Sequence, residues 1–254
     1  MTGAGAGIGR AIAERLAGED WSVIGLERDA ALVATGVPGV ELVLGDAADH
    51  TALERAAAAA EARAPLAGWV NNAADTSRGS LHDPDPRQID RLLAVNVAGV
   101  LWGCSVAVRA FTTRAAGGAI VNVSSIHGRR GAVDHAAYDT SKGAVDALTR
   151  HVAAAYGPYG IRANAIAPGA IRTPALEAAI AGAPDPDTAA RALAGSAPLR
   201  RLGEPDEIAA VASFLLSPAS SYVTGQSLAV DGGWTTALVP PVLDAELAAR
   251  YGLQ

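Results

Sequence analysis

Apolar stretches of strand length alternate along the chain with stretches of helical pattern. Residues 22–27 (SVIGLE), 40–44 (VELVL), 66–71 (LAGWVN), 119–124 (AIVNVS), 161–167 (IRANAIA) and 227–231 (SLAVD) read as strands. None alternates polar with apolar, as expected of strands covered on both faces. Helices are predicted over 9–17, 49–63, 88–114, 134–156 and 205–216. The stretch 49–63 is built almost wholly from Ala, Leu, Glu and Arg, which are strong helix formers. The last helix opens on Pro205, with acids in its first turn. Strands alternating with helices imply an α/β fold, a doubly wound parallel sheet with helices on both faces. No repeat or low-complexity linker interrupts it, so residues 1–254 read as a single domain. Residues 174–198 mix Pro, Asp and Gly with short helical pieces and read as a mobile substrate lid. In the tail, 236–254, Leu243, Leu247 and Tyr251 recur every four residues. That predicts a short amphipathic helix over a subunit interface or the pocket rim, or else a frayed end.

Composition narrows the function classes. Hydrophobic residues make up 50% of the 254 and aromatics only 4%, so the core falls to Ala, Val, Leu and Ile. The net charge of −6 comes without a basic stripe, which argues against nucleic acid or an anionic membrane as partner. Cys104 is the only cysteine and forms no intrachain disulfide, which fits a reducing cytoplasm. No uninterrupted apolar run reaches the roughly 18 residues of a membrane helix, and Met1 runs directly into a glycine-rich turn rather than a signal peptide. His and Asp are scattered without metal-ligand spacing, so no metal is expected.

Candidate chemistry begins at that turn. Residues 2–10 read TGAGAGIGR, and Gly3, Gly7 and Gly9, with Ile8 between the last two, give G-x-x-x-G-x-G. Glycines let backbone N–H groups approach a pyrophosphate at a helix N-terminus. The next strand ends in Glu27, an acid that can accept from both adenosine ribose hydroxyls and repel a 2′-phosphate. NAD is therefore preferred, while Arg28 beside it keeps NADP open. Tyr138 and Lys142 lie one helical turn apart and share a face. A nearby cation would make the phenol an acid and base near neutral pH. Lowering its pKa by about 3 units corresponds to roughly 4 kcal/mol, more than a lysine alone supplies, so a positive nicotinamide ring would share the task.

Further motifs stand in a fixed order: TGAGAGIG at 2–9, Asp46, NNAA at 71–74, Asn96 in VNVAG, VNVSS at 121–125, YDTSK at 138–142, PGAIRTP at 168–174 and VTGQSLAVDGGW at 223–234. Together they resemble the short-chain dehydrogenase/reductase family, in its single-domain branch of about 250 residues, over roughly residues 1–235. The resemblance implies a Rossmann-type fold and hydride transfer between NAD(H) and a secondary alcohol or ketone. It implies that Tyr138 is the acid/base, that Ser125 orients the substrate oxygen, and that Lys142 binds the nicotinamide ribose and depresses the Tyr138 pKa. Asn96 would hold a relay water. Asp46 and Ala47 would meet the adenine, and Asn71, Asn72 and Ala73 would line the cofactor groove, although Asn71 could instead tie neighbouring strands. Pro168, Gly169, Ile171 and Thr173 would hold the nicotinamide end. It also implies a homotetramer formed through the helices 88–114 and 134–156.

Alternatives within the fold are an NADPH-dependent 3-oxoacyl thioester reductase, against which Glu27 argues, and a catalytically silent dinucleotide-binding protein, against which the intact Ser–Tyr–Lys–Asn set argues. Substrate contacts are sought between Ser125 and Tyr138. There His127 and His135 could bind a polyol, and Arg129 and Arg130 could pair with a carboxylate or stand in solvent or at a subunit contact. Two departures from the family pattern are visible. Ala74 stands where glycine is usual, and the buried first strand expected before the glycine turn is missing. A chain that begins further upstream is expected, with Met1 a misassigned start or standing where a strand residue belongs; the sheet should then show a central slot or flanking strands with unpaired edges.

Overall fold

The computed structural model describes residues 1–237 and 250–251. Helix α1 (Gly7–Gly18) is followed by strand β1 (Val23–Glu27), the short helix α2 (Ala30–Thr35), β2 (Val40–Leu44), α3 (His50–Glu61) and β3 (Gly68–Asn71). Then come α4 (Pro86–Leu93), a π-helical turn (Ala94–Gly99), α5 (Val100–Thr113), β4 (Gly118–Val123), α6 (Ala136–Tyr156) and β5 (Ile161–Pro168). Helices α7 (Pro174–Ala181), α8 (Pro186–Ser196) and α9 (Pro205–Leu216) precede β6 (Ser227–Val230). Every strand pair is parallel, as the alternation with helices requires. One side of the sheet is β1–β2 and the other runs β3–β4–β5–β6.

Between these two sides lie only Met1 to Gly3. The Leu26 N–H donates to the Met1 carbonyl, the Gly3 N–H to that of Leu26, and the Thr2 N–H to that of Val70, at 2.8–3.0 Å. Thr2 thus bridges β1 and β3, which share no ladder of their own. Met1 itself donates through its terminal amine to the Ile24 carbonyl at 2.7 Å, beside β1.

Two apolar layers cover the sheet. Ile12 and Leu16 of α1 pack with Ile208, Ala212 and Leu215 of α9 on one face. On the other, Phe111 and Val106 of α5 pack with Leu53 of α3 and Val145 of α6. The predicted helix 88–114 is interrupted by the π turn. The continuous 28-residue stretch Pro86–Thr113 is long and apolar enough to cross a membrane, although no uninterrupted apolar run is. Half of its most apolar window is buried inside the fold, where it covers the sheet. Within 174–198, α7 and α8 carry no buried residue. Of the predicted tail helix, Arg250 and Tyr251 are helical; Leu243 and Leu247 lie outside the described residues.

Candidate active site

The glycine turn is shaped for an anion. Gly3 and Gly7 have φ of +65° and +54°, values that side chains other than glycine rarely adopt. A Cβ on Gly9 would stand 1.8 Å from the Gly3 carbonyl, so α1 reaches the turn only because residue 9 is glycine. The helix begins at Ala6 with no side-chain cap. The N–H groups of Gly7, Ile8 and Gly9 find no acceptor among the described residues. By contrast, Asp29, Asp49 and Asp85 cap α2, α3 and α4 through their carboxylates. An uncapped positive helix end beside glycines is a fit for a pyrophosphate.

Glu27 closes the side of this turn. Only 8% exposed, its carboxylate accepts from Gly5 N–H at 2.9 Å, Arg28 N–H at 2.9 Å and Asp29 N–H at 3.1 Å. The negative charge at the end of β1 is therefore clamped by the backbone. Asp46 accepts from Ala48 N–H and pairs with Arg91 at 2.7 Å. Burial raises its carboxyl pKa, but the Ala48 bond and the charges of Arg91 and Arg28 outweigh this and hold it below the usual range. Ala47 is buried directly below Gly99, where a Cβ would meet its carbonyl at 2.6 Å.

The NNAA segment divides in two. Asn72 donates through Nδ2 to the carbonyl of Gly3 at 2.8 Å, and the N–H groups of Asn72 and Ala73 donate to Thr2 Oγ1, fixing the glycine turn. Asn71, expected in the cofactor groove, is instead 2% exposed inside the fold. It accepts from Trp69 Nε1 at 2.7 Å and donates to Asn122 Oδ1 at 2.8 Å, and Asn122 donates on to Thr149. Ala74 causes no strain, since it is not among the residues with positive φ.

Ser125 follows the end of β4 in extended conformation, and its Oγ accepts from His127 N–H at 3.2 Å. The single turn after it rests on α6: a Cβ on Gly128 would meet Asp146 Oδ2 at 2.7 Å and the Lys142 carbonyl at 3.1 Å. Ser125 lies within hydrogen-bond reach of the Tyr138 phenol. Lys142 is 2% exposed and donates through Nζ to the Val123 carbonyl at 2.9 Å. Burial pushes its ammonium down to about 8, against the opposing charge of Asp146. Burial likewise pushes the Tyr138 phenol up to about 12, against a hydrogen bond with Ser125, while the Asp139 carboxylate adds to the rise. In the protein alone, burial outweighs what would lower the Tyr138 pKa. The ammonium is held on a carbonyl and its own charge is disfavoured by burial.

Asn96 lies in the π turn, fully buried. It accepts from Asp75 N–H at 2.7 Å and donates to the Asp75 carbonyl at 2.8 Å and to Ser141 Oγ at 3.2 Å. Those bonds hold the side-chain amide in place and leave a lone pair of Oδ1 beyond the one that accepts from Asp75. At the other end of the groove, Pro168 closes β5 and Gly169 N–H donates to Val230. Ile171 bridges to Gly203 through the bonds of its neighbours, Arg172 N–H to Gly203 and Gly203 N–H to Ala170. Its own N–H and C=O are left without partners among the described residues, a donor and an acceptor suited to a carboxamide. Thr173 caps α7, and its methyl lies 3.3 Å from where a Gly7 Cβ would stand.

Arg129 and Arg130 donate to the carbonyls of Ser227 and Thr235. His127 and His135 flank the Tyr138 ring, at 5.3 and 6.3 Å between centroids. Asp139, which the sequence reading passed over, holds His127 Nδ1 at 2.6 Å. Its signal was an acid directly after Tyr138.

A sequence profile described as enoyl-(acyl carrier protein) reductase matches residues 3–235. The chain is 39% identical over 246 residues to 2-(S)-hydroxypropyl-CoM dehydrogenase 3 of Xanthobacter autotrophicus, covering 92% of this chain and 95% of that one. It is 39% identical over 244 residues to galactitol 2-dehydrogenase (L-tagatose-forming) of Cereibacter sphaeroides, covering 92% and 93%. The crystal structure of levodione reductase superposes with a TM-score of 0.87 at 32% identity, over 93% of this chain and 96% of that one.

Proposed function

Since the chain belongs to the short-chain dehydrogenase/reductase family, whose members are oxidoreductases using a nicotinamide dinucleotide, we propose that it transfers hydride between NAD(H) and a secondary alcohol or its ketone. The observation that carries this reading is the grouping of Ser125, Tyr138 and Lys142. Ser125 Oγ accepts from the His127 N–H and shares a hydrogen bond with the Tyr138 phenol, so the two hydroxyls stand together where a substrate oxygen would be held. Tyr138 gives its phenolic proton to that oxygen in reduction and takes it in oxidation. The Val123 carbonyl fixes Lys142, and the ammonium favours the phenolate once a second positive charge adjoins it.

The free N–H groups of α1 would hold the pyrophosphate, and the backbone of Ile171 the carboxamide. When bound, the nicotinamide supplies or accepts the hydride. The clamped charge of Glu27 supports NAD over NADP and weighs against the thioester-reductase reading. The solvent-facing α7 and α8 are suited to a lid over 174–198. Leu101 and Trp102, exposed on α5, support assembly through that helix into a homotetramer, which light scattering would test.

A panel of secondary alcohols, sugars and hydroxy acids, followed by nicotinamide absorbance with each cofactor, tests the reading. Turnover of at least one member with NAD is expected. Binding of NADH without turnover of any member would leave a silent dinucleotide-binding protein instead.

A further inference from the structure

We infer that His127, oriented by Asp139 and flanked by His135, selects substrates bearing a hydroxyl beside the reacting carbinol, so that the substrate class is a vicinal diol or polyol and its hydroxyketone. This rests on Tyr138 and Ser125 being the reacting pair.

His127 stands two residues beyond Ser125 and is tied to it by its backbone N–H. Its Nδ1 lies 2.6 Å from Asp139 Oδ1. An ionised carboxylate only accepts, so Nδ1 carries the hydrogen. The other oxygen of Asp139 accepts from Ala132 N–H at 3.0 Å, so the carboxylate is held from two sides and cannot swing away from the ring without losing a bond. His135 repeats the arrangement, with Nδ1 2.6 Å from the Val133 carbonyl, which also only accepts. With a single ring hydrogen on Nδ1, the Nε2 of each imidazole is the lone-pair acceptor, and neither Nε2 has a protein partner among the described residues. The two rings lie 5.0 Å apart between centroids, and each flanks Tyr138.

Two adjacent acceptors require donors. A hydroxyl donates, whereas a carboxylate, a phosphate or a thioester carbonyl does not. The fixed charge of Asp139 repels anions as well. Arg129 and Arg130 turn their guanidinium groups to the carbonyls of Ser227 and Thr235 rather than to the imidazoles. A substrate hydroxyl next to the carbon held at Tyr138 satisfies the pair.

The test compares kcat/KM with NAD for butane-2,3-diol, butan-2-ol and 2-hydroxybutanoate. Wild type should favour the diol over both by at least about tenfold, the usual worth of a hydrogen bond that a site is built to make. In His127→Leu the diol preference should fall toward one. In Asp139→Asn the amide can donate to Nδ1 and turn Nε2 into a donor, so the preference should also collapse; this variant serves if His127→Leu misfolds. A wild-type ratio near one, a preference for the hydroxy acid, or a diol preference that survives both substitutions overturns the inference. Wild type that turns over none of the three overturns the hydride-transfer reading separately. The diol's effect on the fluorescence of bound NADH then decides the pair: weaker diol binding in His127→Leu supports it, and equal binding overturns it.

Discussion

The Lys142 ammonium stands 5.4 Å from the centre of the Tyr138 ring, while its hydrogen bond goes to Val123. The cation is close enough to stabilise a phenolate and is not spent on one. If Tyr138 is the acid/base, Tyr138→Phe should lower turnover by about 10²- to 10⁴-fold, the range of a general acid–base contribution. NADH affinity, read by fluorescence titration, should hardly change. Activity above a few percent would show that another group moves the proton.

Stability should carry the mark of the buried lysine. Its pKa falls from 10.5 in the unfolded chain to about 8 in the fold. Between those values the unfolded chain holds a proton that the native one lacks, so this group's contribution to stability rises with pH across that window; below it the cost of the buried charge is full. A displacement of this size corresponds to about 3 kcal/mol. Lys142→Met should melt higher than wild type below pH 8, less the loss of its bond to Val123, and the advantage should shrink toward pH 10.5. Tyr138, raised from 10.0 to about 12, acts oppositely and only above pH 10. Melting temperatures of the two proteins across pH 7 to 10 measure the slope. A constant difference would contradict it.

Glu27→Ala removes the acceptor of three backbone N–H groups. The Gly5 N–H is buried, and an orphaned buried donor costs about 1–3 kcal/mol. The variant should melt several degrees lower, and its NADP-to-NAD affinity ratio should rise by about tenfold or more, since a unit negative charge near the 2′-phosphate is gone. Calorimetric titration with both dinucleotides reads the ratio. A lowered melting point with an unchanged ratio would mean that the carboxylate serves only the turn.

Asn71→Leu separates a structural asparagine from a cofactor contact. It strips the partners of Trp69 Nε1 and Asn122 in a region where all three are buried. Stability should drop by about 2–4 kcal/mol in urea unfolding, consistent with breaking a buried polar network. At temperatures where the variant stays folded, its dinucleotide Kd should match wild type. Weakened binding with intact stability would return Asn71 to the groove.

The neighbours Asn71 and Asn72 show where sequence reading stops. They form one motif, yet successive strand residues point to opposite faces. One therefore enters the helix layer and the other ties the glycine turn. The pattern fixes which strand they end but not which face each takes. Long elements with clear ends were legible: 205–216 opens on Pro205 and matches α9 to the residue, and 40–44 matches β2. The six residues of α2 are too few for periodicity to register. The π turn has no propensity signal, because it arises from one extra residue within an otherwise helical run. The grouping of Ser125, Tyr138 and Lys142 was legible by resemblance. The rise in the Tyr138 pKa was not, since burial comes from tertiary packing.

Met1 to Gly3 lie between the ladder β1–β2 and the ladder β3–β4–β5–β6. Glu27 belongs to the β1–β2 side, and Ser125 and Ile171 to the side of β4 and β5. On the proposed reading a dinucleotide would reach from Glu27 to Ile171 and so touch both ladders. A mononucleotide half would touch one of them. Thermal protection by the whole molecule should therefore exceed the summed protection by AMP and nicotinamide mononucleotide at matched occupancy, so that the ligand acts as a structural member of the sheet as well as a reactant.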